Sequence, residues 1–318
     1  MYSRREFGKT ALSALALAGL PASDLWAAPL ESTVRGVKLG LITGTLNPLP
    51  SVPGKDPIDV IIEECVQLGA ANIELVSVMA QGEPPVVNGG RFGQPPAQVT
   101  PEYQQSREVL RQWRVAQPLD RFRDVRRKFD AAGLNLFSYV MTIGDDFTDA
   151  EIDAVFKQMQ ALKIDLFTTN QTRVSVGPRL VPFAEKYKIR PAWHCHANVK
   201  DPNEVATPES MEKLLAMSKS FMINLDIGHF TAGNNDAAAF LRKHHDRITH
   251  LHIKDRKRDE GPNVQLGTGD TPIKECLAIV RDNHYPILCI LEREYRGPGT
   301  AVEEAKWQMD YMKQALMA

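Results

Sequence analysis

Four stretches of this 318-residue sequence gather side chains that can bind a cation or move a proton. They read Trp193-His194-Cys195-His196, Asn224-Leu225-Asp226-Ile227-Gly228-His229, His250-Leu251-His252-Ile253-Lys254-Asp255 and Leu291-Glu292-Arg293-Glu294. Alternate residues of a strand share a face, so His194 goes with His196, Asn224 with Asp226, His250 with His252 and Lys254, and Glu292 with Glu294. Burial disfavours an unpaired charge, and a strand does not end in His and Asp without a partner for them. Four consecutive strand ends bearing His, Asp or Glu at matching depth therefore read as a metal site. Two further strand ends, near Glu74 and at Thr168-Thr169-Asn170, are polar as well. Glu74 and Asn170 are candidate substrate contacts, with ordinary rim residues as the alternative.

The elements that must position these groups alternate along the chain. Strand candidates are Val37–Thr43, Asn72–Val78, Leu134–Thr142, Ile164–Thr169, Arg190–His196, Phe221–Ile227, Ile248–Lys254 and Pro286–Glu292. Helix candidates lie between them, at Pro57–Leu68, Leu119–Ala132, Asp149–Leu162, Pro178–Lys188, Pro208–Ser218, Asp236–His244, Thr271–Asn283 and Ala301–Leu316. Asp56-Pro57, Thr207-Pro208 and Thr271-Pro272 each set a capping residue before a proline at the first helical position. Strict strand–helix alternation implies a parallel sheet, and eight units of this size predict a single-domain α/β fold, the (β/α)8 TIM barrel. The turn after the first strand, Gly44-Thr45-Leu46-Asn47-Pro48, lacks a dinucleotide fingerprint, which counts against a doubly wound sheet. An irregular Gly- and Pro-rich stretch, Ala80–Thr100, follows the second strand where a lid over the mouth would sit. Arg111-Gln112-Trp113-Arg114 is either a solvated helix face or part of a segment covering that mouth. The mixed charges of Lys254–Asp259 predict a hydrated loop.

The sequence has 38 basic and 39 acidic residues, so no basic excess is present to neutralise a nucleic acid. Ser3-Arg4-Arg5-Glu6-Phe7-Gly8-Lys9 resembles a twin-arginine export motif. The apolar run after it, Thr10–Leu20, suits a signal peptide and is too short to span a bilayer. The expected organisation is a signal peptide over 1–27, cleaved after Ala27 or kept as an anchor, and a barrel over 34–318. The product is periplasmic or secreted, without stable membrane insertion after processing; a homo-oligomer is compatible with the sequence. Cys65, Cys195, Cys276 and Cys289 show no close spacing and read as small buried hydrophobes.

Asp226-Ile227-Gly228-His229, His250-x-His252-x-Lys254-Asp255, the Gly267-Thr268-Gly269-Asp270 turn and Glu292 together resemble the xylose-isomerase-like barrels, which include sugar phosphate isomerases and ketose 3-epimerases. The resemblance runs from about Val34 to the C-terminus. In the epimerase branch it implies one divalent metal held by strands five to eight, here by His194, Asp226, His252 and Glu292. Glu294 has the same parity as Glu292 and is its alternative. His194 departs from the pattern, since the family has a glutamate there; its absence puts a symmetric two-base mechanism in doubt. Two carboxylates and two imidazoles suit Mn, Co, Zn or Fe better than Mg or Ca. The base that removes the α-proton is Glu292 first and His229 second. His196 and Lys254 would bind substrate oxygens or shuttle a proton, and His250, lying deeper, would support the site.

These expectations describe an isomerase or epimerase of a small non-phosphorylated sugar or cyclitol, working through an enediolate. A lyase or hydrolase of 3-keto-glycosides, which removes the proton at C2 and expels the C1 substituent, uses the same first step. A non-catalytic carbohydrate-binding barrel is the reading from another class.

Overall fold

A computed structural model describes residues 29–77, 82–89, 96 and 98–318. The twin-arginine motif, the apolar run and part of the stretch read as a lid fall outside the described residues.

Eight parallel strands close on themselves: β1 (Val37–Ile42), β2 (Asn72–Val76), β3 (Asn135–Val140), β4 (Leu166–Thr169), β5 (Arg190–His194), β6 (Met222–Asp226), β7 (Ile248–Ile253) and β8 (Leu288–Leu291). Each pairs with its sequence neighbours, and β8 returns to β1 through Cys289 opposite Leu39. The chain is a (β/α)8 barrel. All eight predicted strands are present, shortened at their ends by one to a few residues as the chain leaves the ladder.

Alternation decides which side chains reach the interior. In β7, Leu251 and Ile253 are fully buried against the helices, while His250 and His252 face into the barrel. Burying one such aliphatic side chain contributes about 1.5–3 kcal/mol, so register is strongly held. Ile42, Val140 and Ile290 form a small apolar cluster of their own, packed by Phe137 and Leu288.

The outer helices are α1 (Pro57–Leu68), α2 (Pro101–Ala116), α3 (Leu119–Ala131), α4 (Asp149–Ala161), α5 (Gly177–Tyr187), α6 (Pro208–Met217), α7 (Ile227–Ala232), α8 (Ala237–His244), α9 (Ile273–Asp282) and α10 (Ala301–Met317). Asp56 and Thr207 cap α1 and α6 as predicted, accepting from Ile58 N and Ser210 N. Thr271 does not cap α9. Its hydroxyl accepts from Arg256 N at 3.1 Å instead, and the helix begins two residues later. The helix α7 was not expected, and of α2 only Arg111–Arg114 was read as a possible helix face. The four cysteines are buried and unpaired with one another.

Candidate active site and metal centre

The barrel register sets the height of each donor. His194 lies opposite Asn224, and Asn224 opposite His250; one level up, Asp226 lies opposite His252 and His252 opposite Ile290. Glu292 follows two residues beyond Ile290, its backbone N–H bonded to Ile253 O. Successive strands thus offer inward side chains that converge at the C-terminal end of the barrel. Ligand atoms of His194, Asp226, His252 and Glu292 all lie within 4.8 Å of one another.

Local chemistry aims each of the four. The Nδ1 of His194 donates to the Asn224 side-chain oxygen, which leaves Nε2 with its lone pair toward the cluster. Burial holds this imidazole neutral, with its pKa lowered to about 3. Asp226 ends β6 and caps the short α7, its Oδ1 accepting from His229 N at 2.6 Å. That turn brings Gly228 so close to β7 that a Cβ would meet Lys254 O at 2.9 Å, so only glycine fits. His252 lies between two carboxylates, Nε2 on Glu74 at 2.5 Å and Nδ1 on Glu292 at 3.0 Å. Burial opposes its protonation, but Glu74 and Glu292 prevail and raise its pKa to about 10. Burial likewise opposes ionisation of Glu292, yet Lys254 and His252 hold it below the usual carboxylate range. Asp226 is pushed up by burial and by the neighbouring Glu292 carboxylate.

The donor set fits a divalent cation. Asp226 Oδ2 is buried without a hydrogen bond; the Lys254 ammonium stands 3.1 Å away, but outside hydrogen-bond geometry. A buried carboxylate oxygen left so is disfavoured unless a cation compensates it. Glu74, Asp226, Glu292 and Glu294 face Lys254 and the two histidines of β7, an excess of acid that a divalent ion would balance. The Glu74–His252 bond is the carboxylate partner that orients a ligating imidazole through its far nitrogen.

The other expected residues spread around this centre. Glu292 joins the cluster, whereas Glu294 pairs with Lys254 at 2.8 Å and accepts from Asn263 at 3.1 Å nearer the rim. Lys254 is 2% exposed and braces Asp226, Glu292 and Glu294 from the side. His229 sits between two cationic donors, Lys254 Nζ at 2.9 Å from Nε2 and Arg256 at 2.6 Å from Nδ1; the neutral ring has one lone pair to accept with, these donors occupy it, and the ring is not free to act as a base. His196 contacts Gln171 at 2.6 Å and stacks edge-on to His194. Asn170 lines the cavity above the cluster. Glu74 does not reach the rim: β2 continues to Val76, so its carboxylate lies fully buried, bonded to Thr168, His250 and His252. His250 shares that deep layer, as expected of a supporting residue.

Two sequence expectations need correction. Lys254 and Asp255 do not begin a hydrated loop. Asp255 is buried and accepts from Gly267 N at 2.8 Å, Gly269 N at 2.9 Å and Thr271 N at 3.2 Å, pinning the glycine turn across the barrel end. Arg114 is not on a solvated face either. It is buried over a cavity of about 640 Å³ lined by His194, His252, Glu292 and Glu294 below and by α2 and the 83–89 segment above. The sequence reading missed Arg107 and Tyr103 on this roof. The spacing of Arg107, Arg111 and Arg114 on one helical face, opposite Glu151 in a capping box, was the available signal.

A family model described as the xylose isomerase-like TIM barrel matches residues 175–315. That stretch contains every donor of the cluster. Inosose dehydratase of Lactiplantibacillus plantarum is 26% identical over 155 residues, covering 42% of this chain and 50% of the relative. The chain thus matches about half the length of that curated relative. Among solved structures, D-psicose 3-epimerase from Clostridium cellulolyticum H10, crystallised with D-tagatose, superposes with a TM-score of 0.60 at 13% identity, over 88% of this chain and 99% of that one. The IOLI protein with a bound zinc atom gives 0.55 at 16% identity, over 88% and 95%. At these identities the structural likeness establishes the fold alone. No helix among the described residues is long and apolar enough to cross a membrane.

Proposed function

We propose that this chain is a metal-assisted enolising enzyme of a non-phosphorylated carbonyl sugar or cyclitol, an isomerase or epimerase in outcome. The observation that carries this reading is the convergence of His194, Asp226, His252 and Glu292 within 4.8 Å beside the cavity. These four would hold one divalent ion, with Mn, Co, Zn or Fe suiting the mixed donors. When bound, the ion supplies Lewis-acid stabilisation of the oxygen that gains charge as the α-proton leaves.

The protein's own groups do the rest. Glu292 is the base: it lines the cavity, and Lys254 and His252 keep it ionised. In isomerisation the proton passes from the substrate's α-carbon to the Glu292 carboxylate and on to the neighbouring carbonyl carbon, while the hydroxyl proton moves from the one oxygen to the other. Asn170 offers an amide to substrate hydroxyls, and donation from Lys254 and Arg256 occupies the lone pair of His229, so that ring is not a second base. The three carboxylates around Lys254 leave that ammonium no free role as a phosphate anchor.

A second reading has one specific observation in its favour. His194, held neutral by burial, stands where a two-base epimerase would need a second carboxylate. A one-sided site suits α-proton removal followed by loss of an oxygen substituent from the β-carbon, as in cleavage of a 3-keto-glycoside. Dehydration of a carbonyl compound is an elimination of the same form, and the curated relatives are named inosose dehydratases. Export by the twin-arginine route, proposed from Ser3–Lys9, would agree with a non-phosphorylated substrate in both readings.

The test is incubation of the metal-loaded protein in D2O with free ketoses, inososes and 3-keto-glucosides, followed by NMR. Deuterium at the α-carbon of an intact skeleton gives isomerase or epimerase; release of the β-substituent gives lyase. Neither signal, together with no stoichiometric metal in the purified protein, leaves a carbohydrate-binding barrel.

A further inference from the structure

The cavity is larger than a single sugar ring requires, and its roof has a chemistry unlike its floor. A hexose has about twelve non-hydrogen atoms; even at the roughly 30 Å³ that a water molecule takes in the liquid, it would fill little over half of the 640 Å³. The space away from the donor cluster is bounded by Pro84, Pro85, Val86, Tyr103, Leu110 and Phe147.

Two arginines also border this space, and both are spent. Arg107 donates from Nε to Asp146 at 2.8 Å and from its two terminal nitrogens to Glu151 at 2.8 and 3.0 Å. Arg114 donates from Nε and one terminal nitrogen to Glu83, each at 3.2 Å, and from the other to Glu151 at 3.4 Å. Their planes lie 4.9 and 4.8 Å from the centre of the Phe147 ring. All six guanidinium nitrogens thus face carboxylates of the protein, so the arginines stiffen the roof and leave little to recruit a phosphate. A second sugar would want donors and acceptors, which this wall of proline, valine, leucine and aromatic carbon does not supply.

We infer that the roof is a binding subsite for an apolar, preferably aromatic, substituent on the sugar, so that the substrate is a glycoside rather than a free monosaccharide. The inference rests on the sugar-enolising reading of the same cavity and adds the part of the substrate that does not react. Remote binding of this kind fixes the reacting carbon against the base without taking part in the chemistry.

The experiment is calorimetric titration of the metal-loaded protein with phenyl β-D-glucopyranoside and with methyl β-D-glucopyranoside, neither of which has the carbonyl needed for turnover. Burial of the ring predicts that the phenyl glycoside binds about ten- to a hundredfold more tightly. Val86→Asp, at a half-buried position, collapses that ratio toward one, and Leu110→Ala reduces it; melting curves verify that both variants fold. Equal affinity of the two glucosides, or a phenyl preference indifferent to both substitutions, overturns the subsite. Solvent-deuterium exchange into 3-keto-glucose, run on the same preparation, separates the two levels. A phenyl preference without exchange keeps the subsite and removes the enolising reading, while exchange without a phenyl preference does the reverse.

Discussion

Replacing Glu74 by glutamine tests whether the deep carboxylate orients the metal site. Glu74 touches no cavity space, yet its Oε2 receives His252 Nε2 at 2.5 Å and its Oε1 receives His250 Nε2 at 3.1 Å. With a cation on the Nδ1 side, His252 must be neutral and carry its proton on Nε2, donating it to Glu74. A glutamine side chain keeps the shape but cannot present two anionic acceptors. One of its ends becomes an NH2 group facing an imidazole N–H or competing with Thr168. A buried hydrogen bond to a charged partner contributes about 1.5–3 kcal/mol, and its loss corresponds to roughly ten- to a hundredfold in equilibrium, the range typical of carboxylates behind a metal-bound histidine. Glu74→Gln should therefore weaken metal affinity by about that factor while the far-ultraviolet circular dichroism stays native. Competition against a chromophoric chelator measures it. Metal affinity within about twofold of the wild type, well short of that range, would refute the orienting role.

Asp226→Ala should abolish stoichiometric metal binding, and full occupancy by elemental analysis would remove the site assignment. Chelation should lower the melting temperature, with recovery that scales with added metal because only the folded state binds it; a transition indifferent to metal argues against the cluster as ligand set. Burial opposes ionisation of Glu151, but Arg107, the Thr148 backbone and Arg114 hold its pKa below the ordinary value. Its contribution to stability is thus complete above the unfolded-state glutamate pKa and is lost as pH falls through the lower folded value. Glu151→Gln should flatten denaturation midpoints in that acid window, and an unchanged slope counts against the network. Gly269→Ala should destabilise the turn after β7, because its Cβ would lie 1.9 Å from Asp255 Oδ1; a variant melting with the wild type would show that the turn yields.

The barrel and its donor-bearing strands were legible because period-two alternation is a local signal. It put His194, Asp226, His252 and Glu292 on inward faces without any knowledge of neighbours. Depth was less legible, since it depends on where a strand stops. Glu74 was read as a rim residue, and nothing in its own strand showed that Thr168, His250 and His252 converge on its carboxylate from other strands and bury it. Only the Arg111–Arg114 end of α2 was read as a possible helix face, because arginines and a tyrosine make up most of its buried side, where a periodic stripe of aliphatics would have shown the whole helix. Asp255 was hidden in a run of mixed charges, and the Gly267-Thr268-Gly269 backbone that claims it lies beyond that run, outside the reach of any local pattern. The Asn224 bond that selects the His194 tautomer could have been anticipated from parity once adjacent strands were laid in register.

The staggered register has a further consequence for how such a protein can change. Each donor occupies a rung whose height is fixed by closure of the whole cylinder, so an exchange of one polar side chain for another at position 194 alters reactivity without moving the frame. The canopy of α2 and the 83–89 segment is fastened through Glu151 to an outer helix, away from those rungs. Reaction type and the choice of guest molecule are thereby written in separate parts of the chain, and selection can revise one while leaving the other intact.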